Sequence, residues 1–358
     1  MSKSQKTPST QLHGLLVVDK PGIEDFAPAS PATDQRPPWL PTSHDIVNRV
    51  RRWSGEKRIG HTGTLDPMAS GVLVLTIGNA TRLTEYYQGH DKRYLAEVQL
   101  GETTDTYDRT GKVTETATVP ELTSSIIEAT LEQFRGELMQ KPPAFSAIKQ
   151  AGKTAYQQAR KGHEIELEAR PVTIHTLDLV EFCAPNRLRL QIHCSSGTYI
   201  RSLAYDLGIA LGTYGVLTQL RRLAVGVFTL EQARRLPEIE KAATDGKLAQ
   251  WLLPTGYGLN LPSVQLDQSS TQRLGFGQKV KLPLAWFTPA QFASLAASSP
   301  LSSAEQPIAG IESGTLAQAI APNGQLVGMI TCTGAPQENQ AVWRAEKWFV
   351  DSQLVKDG

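Results

Sequence analysis

The stretch Gly60-His61-Thr62-Gly63-Thr64-Leu65-Asp66-Pro67-Met68-Ala69-Ser70-Gly71 runs directly into Val72-Leu73-Val74-Leu75-Thr76-Ile77. Its first part is a glycine-punctuated polar loop holding a single carboxylate. Its second part is a continuous apolar run bounded by Gly71 and Gly78, the pattern of a buried strand. A rigid strand entered from a tight turn can fix one aspartate in a cleft. On local features alone, however, Asp66 reads as a plain turn residue. Asp before Pro commonly bonds its own backbone while proline sets the next φ.

Working outward, residues 14–18 read as a short buried strand and Asp19-Lys20-Pro21-Gly22 as a turn. Residues 23–41 turn to Pro, Ala and acidic side chains without an apolar period, and are expected to form an exposed flexible loop. Ser43 is placed to cap a helix with Ile46, Val47, Val50 and Trp53 inward and Arg49, Arg51 and Arg52 outward. Asn79 is placed to cap a short helix through Tyr87. Tyr94, Ala96, Val98 and Leu100 then alternate with Arg93, Leu95, Glu97 and Gln99, giving a strand with one apolar face.

Residues 101–111 form a polar loop, and Ser124 or Ser125 opens a helix carrying Ile126, Ile127, Leu131 and Phe134. A basic helix is expected over 153–161. Lys149, Lys153, Arg160 and Lys161 beside Tyr156 make the best phosphate-and-base surface in the chain, with solvated lysines as the plain alternative. Leu188, Leu190, Ile192 and Cys194 define a half-buried strand. A helix follows with Ile200, Leu203, Ala204, Leu207 and Leu211 inward, and another strand is expected over 225–230.

At 358 residues the chain can form two domains, and 40% apolar with 20% charged residues is ordinary for a protein with a sizeable core. The net charge of +1 does not announce a nucleic-acid partner, so any RNA surface must come from local clustering. Cys183, Cys194 and Cys332 lack C-x-x-C spacing, which fits neither a disulfide framework nor a zinc ribbon and suits a reducing cytoplasm. His193 adjoins Cys194, but strand neighbours face opposite ways. His13, His44, His90, His163 and His175 show no metal spacing, so no metal is expected. With neither an apolar signal core in residues 1–11 nor a run of bilayer length, a soluble cytoplasmic protein without a membrane partner is expected.

Charged stretches at 231–235 and 237–245 suggest the end of the first domain. Beyond about residue 261, strands are expected at 263–266, 279–282, 314–320, 326–330 and 348–350, around an Ala/Ser/Pro-rich insertion at 288–306. The domains are therefore expected at 1–253 and 258–358.

Five segments, in order, resemble the TruB family of bacterial tRNA pseudouridine-55 synthases. Gly60 to Pro67 with Ala69-Ser70-Gly71-Val72-Leu73 resembles its catalytic-aspartate motif. Leu15-Leu16-Val17-Val18-Asp19-Lys20-Pro21-Gly22 with Thr42-Ser43-His44-Asp45 is similar to its N-terminal KPxGxTSH element, here split by 23–41. Lys92-Arg93-Tyr94 with Leu100 to Thr106 resembles the segment bearing its active-site tyrosine. Residues 141–162 look like its RNA-clamping thumb. Cys194 to Leu207 with Leu220-Arg221-Arg222 is similar to the motif supplying a tyrosine and an arginine. The tail is only loosely similar to a PUA-like RNA-binding domain.

The resemblance implies an α+β pseudouridine synthase fold: a mixed, largely antiparallel sheet flanked by helices and loops, plus a small β-rich PUA-like C-terminal domain. It implies isomerisation of uridine to pseudouridine at position 55 in the T-loop of tRNA, without a cofactor and with the T-stem-loop as partner; a monomer is expected because every assigned pocket residue comes from one domain. Asp66 is then the catalytic carboxylate, acting as nucleophile or as base at the sugar. Arg201 pairs with it, because burial opposes a carboxylate's charge and a guanidinium restores it. Tyr94 stacks on the extruded base, Tyr199 and Leu220 line the pocket, Lys20 lies near its floor, and His61 fills the gap left in the RNA stack. Two other readings compete. One is a non-catalytic tRNA-binding or folding protein using the same cleft. The other is a glycosidic hydrolase, which needs two carboxylates, whereas no second candidate accompanies Asp66 in the sequence.

Overall fold

The computed structural model describes residues 12–23, 40–146, 149–150, 153–154, 167–289 and 310–349. Residues 24–39 of the expected loop, and 290–306 of the expected insertion, lie outside this set. The strands of the first part are β1 (Gly14–Lys20), β2 (Ile59–His61), β3 (Ser70–Ile77), β4 (Lys92–Leu100), β5 (Glu102–Thr104), β6 (Val113–Thr116) and β7 (Gly136–Gln140). They continue with β8 (Lys149–Gln150), β9 (Lys153–Thr154), β10 (Arg170–Cys183), β11 (Arg187–Cys194), β12 (Gly215–Val225), β13 (Phe228–Thr229) and β14 (Arg234–Arg235).

The main sheet runs β14-β1-β3-β12-β4-β11-β10-β7, with β2 added to β3 and β13 to β12. Only the β1/β14 and β3/β12 pairs are parallel, so the sheet is mixed and largely antiparallel, as expected. At the β3/β12 joint Arg222 lies opposite Gly71. Gly71 has φ +102°, and a Cβ there would overlap the Arg222 carbonyl oxygen, so only glycine fits.

All eight residues of β3 are buried. Leu73, Leu75 and Ile77 pack with Ile46, Val47 and Val50 of the helix Ser43–Ser54 and with Ile239 of the helix Leu236–Thr244. Val72 and Val74 join Leu15, Val17, Tyr87 and Phe228. A fully buried aliphatic side chain contributes about 1.5–3 kcal/mol, so β3 is a firm base for the loop that enters it. Farther along the sheet, Tyr94, Ala96, Val98, Leu188, Leu190 and Ile192 pack with Leu203 and Leu207 of the helix Ile200–Ala210.

Several local expectations change. Thr42, not Ser43, caps the first helix: its hydroxyl accepts the Asp45 N–H at 3.1 Å, and the Asp45 carboxylate accepts the Thr42 N–H at 2.9 Å. Asn79 lies inside the 3-10 helix Gly78–Leu83 rather than capping it. The strand expected over 225–230 is the end of β12 followed by β13. Arg221 and Arg222 interrupt the apolar alternation of β12 and so hide it. Strand β10 escaped notice because irregularities between Ile174 and Thr176 and between Leu179 and Glu181 reset its two-residue period.

The C-terminal domain contains β15 (Ser263–Gln265), β16 (Val280–Pro283), β17 (Phe287–Thr288), β18 (Leu316–Ile320), β19 (Leu326–Cys332) and β20 (Gln340–Trp348). They form one sheet in the order β16-β20-β19-β18-β15-β17. Its core centres on Trp343, stacked on Phe287 at 4.6 Å. Of the strand expected over 348–350, Trp348 ends β20, Phe349 lies beyond it, and residue 350 is outside the described residues. Met329 and Phe349 join the core against β1 and β3, and Asn79 Nδ2 donates to the Phe349 carbonyl at 3.1 Å. The Arg82 guanidinium donates to the Trp348 carbonyl, and the Lys347 ammonium meets the Glu85 carboxylate. No helix among the described residues is long and apolar enough to cross a membrane.

Candidate active site

Three buried side chains hold the loop around Asp66 by its main chain. Lys20, fully buried at the end of β1, donates from Nζ to the carbonyls of Pro21 at 3.0 Å, Pro67 at 3.0 Å and Ala69 at 2.6 Å. Ser43 Oγ accepts the Leu65 N–H at 2.8 Å and donates to the Leu65 carbonyl at 3.0 Å. Arg222 donates from Nε to Val72 at 2.7 Å, from Nη1 to Thr64 at 3.1 Å and from Nη2 to Gly63 at 3.2 Å, all carbonyl oxygens. A buried cation is costly unless its donors are used, and these contacts use them to fix the loop.

Arg201, in the first turn of the helix Ile200–Ala210, grips Asp66 with two nitrogens: Nε to Oδ2 at 2.9 Å and Nη2 to Oδ1 at 3.4 Å. Its other bonds run from Nη1 to the Thr106 carbonyl at 3.0 Å and from Nη2 to the Phe145 carbonyl at 2.9 Å. The side-chain exposures are 6% for Arg201 and 32% for Asp66. The guanidinium is therefore locked in the protein while the carboxylate still opens outward, a geometry that orients one anion toward a ligand.

A second carboxylate does lie close by, contrary to expectation. Asp108 Oδ2 is 3.8 Å from Arg201 Nε. Its Oδ1 accepts from Thr106 Oγ1 at 3.0 Å, Thr110 N at 2.8 Å and Thr110 Oγ1 at 2.5 Å. Asp108 is thus buried and engaged in shaping the turn that holds Arg201. The polar loop expected over 101–111 gave no hint of this, because Arg201 reaches it from ninety residues downstream.

Tyr94 faces the core from β4 and is buried. Burial pushes its hydroxyl above the usual phenol range, and the charge of Arg222 partly opposes that. Tyr199 immediately precedes the Arg201 helix. Gln140 grips its main chain, accepting the N–H at 2.8 Å and donating to the carbonyl at 3.0 Å. Burial raises the Tyr199 hydroxyl, while the neighbouring Ser146 hydroxyl and the Arg201 charge oppose the shift. Leu220 is buried on β12 in the same core cluster as Tyr94 and Leu65.

His61 ends β2, and burial, helped by the charge of Arg222, holds its imidazole below the usual 6.5. Of the residues singled out from sequence, Asp66, Arg201, Tyr94, Tyr199 and Lys20 are linked by these contacts and fields. Arg222, Ser43 and Gln140 are not among the expected site residues, although Ser43 falls in the segment similar to the KPxGxTSH element and Arg222 in the segment with Leu220 and Arg221, where Arg221 donates to the Asp19 carboxylate at 3.0 Å.

The RNA surface expected over 149–161 is only partly described. Lys149 lies in β8 and Lys153 in β9, paired antiparallel, so Lys153 opens a strand and not the expected helix. Only Ala151 and Gly152 separate the two strands in sequence, a hairpin-like spacing that the basic pattern masked. Tyr156, Arg160 and Lys161 lie outside the described residues. Elsewhere Asp91, His175 and His193 converge with their ligating atoms within 4.8 Å of one another. Their sequence separations had concealed this grouping.

The family model described as TruB family pseudouridylate synthase (N terminal domain) matches residues 51–200. The one described as tRNA pseudouridylate synthase B C-terminal domain matches residues 201–260. The chain is 43% identical over 269 residues to the tRNA pseudouridine synthase B of Solibacter usitatus, covering 75% of this chain and 85% of the relative. It is 39% identical over 331 residues to that of Paenarthrobacter aurescens, covering 90% and 93%. In fold it is similar to a chain of a Cbf5-Nop10-Gar1 complex, with a TM-score of 0.68 at 21% identity, covering 96% of this chain and 87% of that one. Identity of this extent, with the matched segments running through the loop of Asp66 and the helix of Arg201, establishes that the chain belongs to the TruB family of pseudouridylate synthases.

Proposed function

We propose that this pseudouridine synthase isomerises the uridine at position 55 in the T-loop of tRNA, and that Asp66 is the carboxylate that acts on it. The observation that carries this reading is the two-point grip of buried Arg201 on a carboxylate that remains open to solvent. The names of the relatives, tRNA pseudouridine synthase B, support tRNA as the substrate.

In the reaction the N–C glycosidic bond breaks, the base turns, and a ring carbon bonds to the sugar. That carbon loses its proton and the freed ring nitrogen gains one, so the change is an isomerisation with no net redox. Asp66 serves either as nucleophile on the nucleoside or as base at the sugar C2′. Arg201 keeps it charged and aimed. The uridine is extruded from the T-loop, and Tyr94, Tyr199 and Leu220 receive it. Stacking on an aromatic ring contributes about 1–3 kcal/mol toward the cost of extrusion. His61, neutral near pH 7, fills the space left in the RNA, and Lys149, Lys153, Tyr156 and Lys161 clamp the stem.

The catalytic part spans 1–253 and a PUA-like domain 258–358, working in the cytoplasm as a monomer. The test is incubation with unmodified tRNA followed by pseudouridine mapping. One modified T-loop position is expected, and Asp66→Asn is expected to abolish product while tRNA binding stays within about tenfold. A fully active Asp66→Asn enzyme overturns the assignment, and product at another position overturns the site.

A further inference from the structure

We infer that Asp91, His175 and His193 form a binding site for one divalent transition-metal ion of the zinc class, on the face of the main sheet opposite Tyr94. Asp91 Oδ2 lies 3.2 Å from His175 Nε2 and 3.7 Å from His193 Nε2. A tetrahedral zinc ion with bonds of about 2.0 Å holds its ligand atoms roughly 3.3 Å apart, so small side-chain rotations bring all three onto one ion. Imidazole and carboxylate together suit zinc, nickel or copper better than magnesium or calcium, which prefer oxygen-only shells.

The scaffold beneath these groups is regular. His193 lies on β11 opposite Arg93 of β4, and Asp91 immediately precedes β4, its carbonyl accepting the Gly226 N–H at 2.9 Å. His175 falls in the irregularity between Ile174 and Thr176 of β10, where β10 has one residue more than β11. Such a bulge re-aims a side chain, and here it sets the two imidazoles 4.7 Å apart. The interruption that hid β10 from its sequence pattern is thus what assembles the ligand set. All three side chains are partly exposed, which gives an ion a route in and leaves water to complete its coordination. The Arg93 guanidinium nearby opposes a cation and moderates the affinity.

The site lies away from Asp66, and its occupancy joins the start of β4 and the end of β11, which lead to Tyr94 and to Tyr199, to the bulge inside β10. The full chain without a histidine tag is titrated with zinc by calorimetry and with cobalt by visible absorption. One equivalent of each is expected. His175→Ala and His193→Ala are each expected to weaken binding at least tenfold, and Asp91→Asn to weaken it further than the control His13→Ala, which leaves it unchanged. Far-ultraviolet dichroism verifies that each variant is folded, and zinc is expected to raise the melting midpoint of the unsubstituted protein but not of the histidine variants. Absence of saturable one-to-one binding, or histidine variants that bind as tightly as the parent, overturns the site.

Discussion

The two sheets of this molecule bury very different things. In the N-terminal part Lys20, Lys92, Asp108, Arg201 and Arg222 are all buried, whereas beyond residue 258 the buried polar side chains among the described residues are Thr271 and Thr331. Both parts have apolar cores, the second built on Trp343 and Phe287. Buried charge adds little to stability compared with well-packed apolar groups and must be matched donor by donor. Four of these charges, Lys20, Asp108, Arg201 and Arg222, bear on Asp66 or its loop, where the proposed chemistry is placed, while the C-terminal domain is organised by packing.

The sharpest way to break this contrast is Arg222→Met. Three carbonyls, of Gly63 and Thr64 in the loop and of Val72 in β3, lose their donor, and at about 1–3 kcal/mol for each unsatisfied group the protein is expected to lose roughly 3–9 kcal/mol of stability. Turnover is expected to fall by at least about a hundredfold even under conditions where the variant is folded, since a loop displaced by an ångström misplaces the carboxylate. Denaturant unfolding and single-turnover kinetics measure the two separately. If turnover survives intact, Arg222 is a packing residue and the contrast fails.

Trp343→Ala supplies the opposite case. It is expected to cost about 3–5 kcal/mol, from the cavity left against Phe287, while the single-turnover rate at saturating enzyme stays within about threefold. An equal loss of rate would mean that the C-terminal core also positions the reacting groups.

Acid provides the gentlest probe, because none of the seven histidines lies beyond residue 193. Burial holds both His61 and His90 below the usual 6.5. The unfolded chain therefore binds more protons in the window below 6.5. Stability is full above that value and declines as pH falls through it toward the folded values. His61→Asn and His90→Asn should each flatten the decline in denaturant midpoint between pH 7 and pH 5. An unchanged slope removes the buried imidazoles as its cause.

Much of the architecture was legible in the sequence where one physical signal acted alone. The all-apolar run of β3 and the alternation of β4 and β11 each report a single burial pattern, and these strands lie where expected. Legibility failed where two demands met in one segment. Arg222 sits in a strand yet turns its charge inward, so the period of β12 dissolved. Strand β10 is bulged at His175. Ser43 looked like a cap because serine suits that role, but its hydroxyl bonds Leu65, twenty-two residues away. The meeting of Asp66 with Arg201 was foreseen through the family motifs alone, since nothing local predicts a contact across 135 positions.

The cradle beneath Asp66 has one more implication. Lys20, Ser43 and Arg222 grasp main-chain carbonyls, which every amino acid presents in the same form, and the Leu65 N–H, which every residue but proline presents. Exposed positions such as Thr64 and Pro67 can therefore drift in side chain without loosening the grip, whereas Gly71, where backbone meets backbone, has no such freedom. The loop's shape is written in residues that lie outside it.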